Sequence, residues 1–223
     1  MSVVQLKLPS RQAEPVADGQ RLVLHAVDWR GYEKFLDAVG DRRIRLTYDR
    51  GTLEIMTIGG FHDWWKRRIG FLLPLLGREV GKTVQGFGST TLRRQDAERG
   101  LEPDEGFYVG RGDEMSGPRD IDLNRDPPPD LGLEIDITTS SLNRMEIYAA
   151  VKVPEVWRFD GEDLHVYSLR PDGQYERVDC SALFPTLPLA EFVQFLRETQ
   201  TLTEDALIQA FQEWVRKHVE PGD

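Results

Sequence analysis

The chain has 223 residues, of which 39% are hydrophobic and 30% charged, the composition of a folded globular protein and not of a disordered or fibrous one. Its 28 basic and 38 acidic residues give a net charge of −10, which argues against coating nucleic acid by bulk electrostatics but leaves room for a local basic patch. One cysteine, Cys180, excludes an internal disulfide and a zinc finger, and points to a buried thiol in a reducing cytoplasm. No apolar run is long enough to span a bilayer, and Met1–Ser10 carries no apolar stretch of the signal-peptide kind.

Residues 1–19 are polar, with a short β-like run at Val3–Leu8, and read as a surface arm. Asp28 is a helix N-cap for Trp29–Val39, where Trp29, Tyr32, Phe35, Leu36 and Val39 recur at helical spacing and Gly40 provides the stop. Arg43–Tyr48 and Thr52–Thr57 alternate around Asp49-Arg50-Gly51 and predict a β-hairpin. A long helix is expected over Phe61–Val80, interrupted by Pro74 and closed by Gly81. Within it Trp64 and Trp65 must face different sides, so at least one belongs to the core.

Short strands follow at Thr83–Phe87, Thr90–Arg94 and Glu105–Val109, then a loop rich in charge, Gly and Pro over 110–129. Leu131–Ile137 is the most strand-like run: Leu131, Leu133, Ile135 and Ile137 share one face, and Gly132, Glu134 and Asp136 the other. A helix over Ser141–Val151, capped by Ser140-Ser141, separates this strand from three more at Glu155–Phe159, Leu164–Ser168 and Tyr175–Val178. Amphipathic helices at Leu189–Glu198 and Thr203–His218 complete the chain. The mixed order predicts an α/β fold, a sheet flanked by helices, with a main domain over 20–188 and C-terminal helices over 189–223 on or beside it.

Three acids stand out. Asp104 opens a strand directly after Pro103, and Glu134 and Asp136 share one face of an apolar strand. Carboxylates this close repel unless cations compensate them, either arginines on a wet sheet face or a divalent ion, for which Mg²⁺ prefers such hard oxygen ligands. Arg144, in the first turn of the next helix, can neutralise an acid or meet a phosphate, with Tyr148 one turn on. His62 and Asp63 begin the long helix. Arg43, Arg45 and Arg50, with Lys66-Arg67-Arg68 and Arg93-Arg94, form either a solvated face or a phosphate-binding patch. The four histidines lack zinc-ligand spacing, and no phosphate-loop, dinucleotide or nucleophile-elbow motif occurs.

The run LEPDEGFYV from Leu101, and PPPDLGLEIDITTSSLNRMEIYAAVKVPEVWRFDG from Pro127 to Gly161, resemble the Uma family of restriction endonucleases, as do YDRGTLEIMT, GGFHDWW and GSTTLRR upstream. The resemblance runs from about Leu22 into the C-terminal helices. It implies a PD-(D/E)XK nuclease core, a mixed sheet of four or five strands between helices. It implies Asp104 and Glu134 as ligands of Mg²⁺ or Mn²⁺, DNA as substrate, and a homodimer that cuts two strands. The superfamily's lysine position holds Asp136 here. The family's basic residue on the following helix is Arg144, with Tyr148 in its tyrosine place, while Glu54, His62 and Asp63 match positions at the edge of the cleft. Arg144 stays charged and cannot serve as a base, and Lys152 replaces a usual glycine. These departures leave a second expectation standing, a degenerate nuclease fold that binds nucleic acid or protein without cutting.

Overall fold

The structure is a computed structural model that describes residues 20–40, 42–57, 60–115, 117, 121–135 and 142–219. The expected arm over 1–19, Asp136, and the Ser140-Ser141 cap lie outside the described residues. Among the described residues two sheets are present where the sequence predicts one. The first contains β1 (Arg21–Leu24), β2 (Ile44–Asp49), β3 (Thr52–Thr57), β5 (Leu92–Arg94) and β6 (Arg99–Leu101), in the order β1-β3-β2-β6-β5. The second contains β4 (Val84–Gly88), β7 (Glu105–Val109), β8 (Leu131–Ile135), β9 (Glu155–Phe159), β10 (Leu164–Leu169) and β11 (Tyr175–Val178), in the order β11-β10-β9-β8-β7-β4. Among the described residues five helices accompany them: α1 (Trp29–Val39), α2 (Gly60–Glu79), α3 (Arg144–Val151), α4 (Leu189–Glu198) and α5 (Glu204–His218). None of the described helices is long and apolar enough to cross a membrane.

Local chemistry accounts for most of these elements. The Asp28 carboxylate accepts from the Gly31 amide and starts α1, and Gly40 ends it at a φ of 51°. Arg50 and Gly51, with φ of 42° and 90°, make the two-residue turn that joins β2 to β3 with Asp49 opposite Thr52, the twist that a hairpin needs. The only parallel pair among the described strands is β8 with β9, joined through α3.

Strand β8 is buried on both faces. Leu131, Leu133 and Ile135 meet Trp65, Ile69, Leu72, Leu73 and Leu76 of α2, with α4 and α5 completing the same core. The C-terminal helices therefore share the main hydrophobic core instead of lying apart from it. On the other face, Tyr148, Ile147 and Val151 of α3 pack with Tyr108 and Val156, and with Leu92 and Leu101 from the first sheet. The far face of the first sheet packs Leu46, Tyr48 and Leu53 on Trp29 and Tyr32. Helix α3 is thus the wedge between the two sheets. Arg99 fixes it there, bonding Asp49 at 2.9 Å and the Glu146 carboxylate and carbonyl at 3.2 and 3.0 Å.

Two expectations are corrected, those for Cys180 and for the cap of α3, while the expectation of a core residue in the Trp64-Trp65 pair is borne out. Cys180 is exposed, not buried. Trp65 is the core tryptophan, and Trp64 is 37% exposed. The α3 N-cap is Asn143, without a side-chain capping bond. Lys152, at the C-cap of α3, has a left-handed backbone, φ 63° and ψ 38°. A Cβ costs about 1–2 kcal/mol in that region, while glycine loses about 0.5–1 kcal/mol of unfolded-state entropy. Lys152→Gly is therefore expected to stabilise the protein by roughly 0.5–1 kcal/mol, measured as a rise of a few degrees in thermal midpoint.

Candidate active site

The register that pairs Glu105 with Leu133 and Gly106 with Gly132 continues to set Asp104 against Glu134 at the end of the β7–β8 ladder. Even-numbered positions of both strands face α3 and the first sheet. Two acids thirty residues apart in sequence thus become cross-strand neighbours on a buried surface, with 2% and 5% exposure.

Each acid has its own set of donors. Glu134 Oε1 accepts from Arg144 Nη2 at 2.6 Å and from the Tyr148 hydroxyl. Gly132 makes the second bond possible: a Cβ there would lie 2.8 Å from the Tyr148 ring, so its absence lets the ring rest on β8 with its hydroxyl reaching Glu134. Burial and the adjacent Glu134 push the Tyr148 pKa well above its ordinary value, so the hydroxyl remains a donor. Asp104 Oδ1 is ion-paired with Arg45, and Oδ2 accepts from the Ile135 amide at 2.5 Å and contacts His62 Nε2 at 2.8 Å. The amide bond ties the Asp104 carboxylate to the residue after Glu134, which keeps the two acids together.

Arg144 spans both sheets. Its Nη1 donates to Thr47 Oγ1 at 2.7 Å, and its Nη2 donates to the Glu102 carbonyl at 2.8 Å as well as to Glu134. Glu54 is 1% exposed and lies directly opposite Thr47 across the β2–β3 ladder, so it shares the face that Arg144 touches; Arg21 approaches its Oε2 at 3.8 Å. Asp63 stands at the rim, 3.3 Å from the exposed Arg43. Asp104, Glu134, Arg144, Tyr148 and His62 thus form one connected cluster, with Glu54 beside it and Asp63 at its rim, 3.9 Å from His62 Nδ1.

Arg45 is the residue that sequence reasoning placed only in a general basic patch. It is 3% exposed. The available signal was its position in β2: Arg45, Thr47 and Asp49 are the polar alternates of IRLTYD, and they line the face turned to the acids. Among the described residues, Nε and Nη2 of Arg45 are buried with no hydrogen-bond partner. Burial lowers its pKa, and nearby Glu134 opposes that shift.

Burial, and after it Arg45, hold the His62 pKa down from 6.5 to about 4. His62 is then neutral at pH 7, with Nε2–H donating to Asp104. A depressed folded pKa contributes stability that is fully present above pH 6.5 and is lost as pH falls towards about 4. The shift corresponds to at most about 3 kcal/mol. His62→Gln is expected to flatten the decline in unfolding free energy over that window, as read by urea titrations at pH 7 and pH 4.5.

Among the described residues, no group of three or more His, Cys, Asp and Glu side chains is arranged to hold a metal ion. Two buried carboxylates do suit an ion of the Mg²⁺ kind, which keeps several waters and takes only one or two protein carboxylates. The donor set of Asp104 and Glu134 therefore fits a hard divalent cation, on condition that their arginines yield.

A central sheet with one parallel crossover, two acids at the end of adjacent strands and a basic residue on the next helix belong to a restriction endonuclease-like fold. The chain is a member of the Uma2 family, described as "Putative restriction endonuclease", whose model matches residues 32–203, over three quarters of its length. That membership sets the class as a nuclease of the restriction endonuclease-like type, a type that generally uses divalent metals. The curated proteins contain no match to the chain.

Proposed function

We propose that the protein is a Mg²⁺- or Mn²⁺-dependent endonuclease that hydrolyses phosphodiester bonds in DNA. The observation that supports this reading best is the meeting of Asp104 and Glu134 at the end of the β7–β8 ladder, with Arg144 of α3 bridging Glu134 to Thr47 of the first sheet. Asp104 and Glu134 would hold the ion. When bound, such an ion polarises a phosphoryl oxygen and lowers the pKa of water.

The protein's own groups do the rest. His62 Nε2–H and the Ile135 amide fix the Asp104 carboxylate, and the Tyr148 hydroxyl fixes that of Glu134. Arg144, held by Thr47 and the Glu102 carbonyl, keeps a positive charge where negative charge develops on the phosphate. Its guanidinium supplies charge and not base chemistry, so the proton of the attacking water would pass to a carboxylate or to bulk solvent. A homodimer in the cytoplasm, with one site per DNA strand, is the assembly this reading asks for.

One observation favours a second reading, a nuclease fold that binds nucleic acid without cutting: each acid already has its own arginine. Incubation with supercoiled plasmid and single-stranded DNA separates the two. Cutting in millimolar Mn²⁺ or Mg²⁺ that EDTA abolishes is the expected result. Binding that weakens with salt, without any strand scission in either metal, would establish the second reading.

A further inference from the structure

The two arginines of the site are held very differently. Arg144 is anchored by three acceptors on three elements: Thr47 Oγ1, the Glu102 carbonyl and Glu134 Oε1. Arg45 has one, Asp104 Oδ1, met by Nη1. Its Nε and Nη2 are buried and unpartnered among the described residues. A buried donor without an acceptor costs about 1–3 kcal/mol, more when the group is charged, so these two donors favour an acceptor supplied from outside the chain, whether water, ion or ligand. Arg45 lies on the face of β2 turned to Glu134, Arg144 and Tyr148, so that place is beside the buried acids.

Charge balance says what the acceptor is. Asp104 and Glu134 are matched one to one by Arg45 and Arg144. A divalent cation added alone would leave these four side chains with an excess of two positive charges in a site of low polarity, offset only in part by the nearby Glu102, which is unfavourable. A phosphodiester added alone would leave an excess negative charge next to two carboxylates. Added together, the two largely cancel.

We propose that Arg45 is the phosphate-binding arginine of this site, stored on Asp104 until a divalent cation takes that carboxylate, and that metal and phosphodiester therefore bind with positive coupling. The proposal rests on the metal-dependent nuclease reading and adds to it an identified residue and an order of events. When Asp104 turns to the cation, Nη1 is released, and the whole guanidinium edge faces a non-bridging phosphate oxygen. No covalent bond is made or broken in this exchange. The fork geometry suits it, since a guanidinium can pair with two oxygens at once and an ammonium cannot.

The test is a calorimetric titration of the full chain with Ca²⁺, with and without a 30-base-pair DNA duplex, repeated with Arg45→Met and Arg45→Lys and with folding checked by far-UV circular dichroism. Wild type is expected to bind Ca²⁺ roughly 5- to 150-fold more tightly with the duplex present, the usual range of coupling between two sites. Arg45→Met is expected to bind Ca²⁺ more tightly than wild type in the absence of DNA, because a competitor for Asp104 is gone, and to lose most of the coupling. Arg45→Lys keeps the charge and is expected to fold where methionine does not; it should retain weak metal binding alone and keep only part of the coupling. Coupling that persists at the wild-type factor in a folded Arg45 variant overturns the proposal while leaving the nuclease reading intact. Absence of Ca²⁺, Mg²⁺ and Mn²⁺ binding by wild type, with and without DNA, overturns both.

Discussion

Asp104→Ala is expected to abolish metal-dependent cleavage and to lower stability by about 3–5 kcal/mol, the usual cost of leaving a buried charge without its partner. For a chain of this size that is a fall of about 10 °C or more in thermal midpoint. The cost has three parts. Arg45, 3% exposed, loses its only ion-pair partner among the described residues, the Ile135 amide loses its acceptor, and His62 Nε2 loses its contact. Asp104→Asn keeps an oxygen for the amide and removes only the charge, so its stability loss should be about half as large while cleavage is lost to the same degree. Pairing Asp104→Leu with Arg45→Met removes both charges and should recover most of the stability, as apolar replacement of a buried ion pair often does. Denaturant unfolding of the four proteins measures this. If Asp104→Ala alone unfolds at the wild-type midpoint, the buried pair with Arg45 does not exist in solution.

The sequence exposes one half of that pair and conceals the other. Asp104 and Glu134 can be read because acids are conspicuous beside Pro103 and within an apolar strand. Arg144 can be read because it lies in the first turn after that strand. Arg45 sits in IRLTYD, where alternation forecasts a half-wet strand with its polar face outward. That forecast fails because the polar face of β2 is covered by a second layer, the wedge of α3 and the edge of the main sheet, and such cover is a long-range property. The first sheet escapes notice as a separate sheet for a related reason. Its strand β6 is only Arg99-Gly100-Leu101, and it is held by cross-strand partners in β2 and β5, with Gly100 accommodating the Tyr32 ring on the other side. The segments around 83–94 read as two neighbouring strands, yet β4 and β5 belong to different sheets, separated by residues 89–91 after the irregular end of β4. Local pattern specified the elements with chemistry of their own, such as the Asp28 cap and the Arg50-Gly51 turn. It could not specify which surfaces would meet.

Glu155 shows why a buried acid is not by itself a sign of catalysis, and it carries the second large prediction. It is 2% exposed, comparable to Asp104 and Glu134, and it too stands at the end of a central strand. Its partners differ in kind. Oε1 accepts from Trp157 Nε1 and from Ser181 Oγ, each at 2.6 Å, and Oε2 accepts from the Ala182 amide at 2.8 Å. Ser181 Oγ in turn accepts from the Leu183 and Phe184 amides at 3.1 and 2.9 Å. The carboxyl group is therefore the hub that fastens the 181–184 segment to β9 and seats Phe184 against Trp157 in the main core. No cation is paired with it among the described residues, and every donor facing it is neutral and fixed. Glu155→Ala strands three donors in a buried setting at about 1–3 kcal/mol each, partly relieved by entering water, so a net loss of about 3–5 kcal/mol is expected. Glu155→Gln keeps one acceptor but turns an amide N–H toward one of the three donors, and should cost about 1–3 kcal/mol. Both variants should leave Ca²⁺ affinity unchanged in the folded protein, since neither touches the cluster around Asp104. A Glu155→Ala protein that melts with wild type would mean that the 181–184 segment is held by its apolar contacts alone; one that keeps its melting temperature but loses metal binding would move Glu155 into the site.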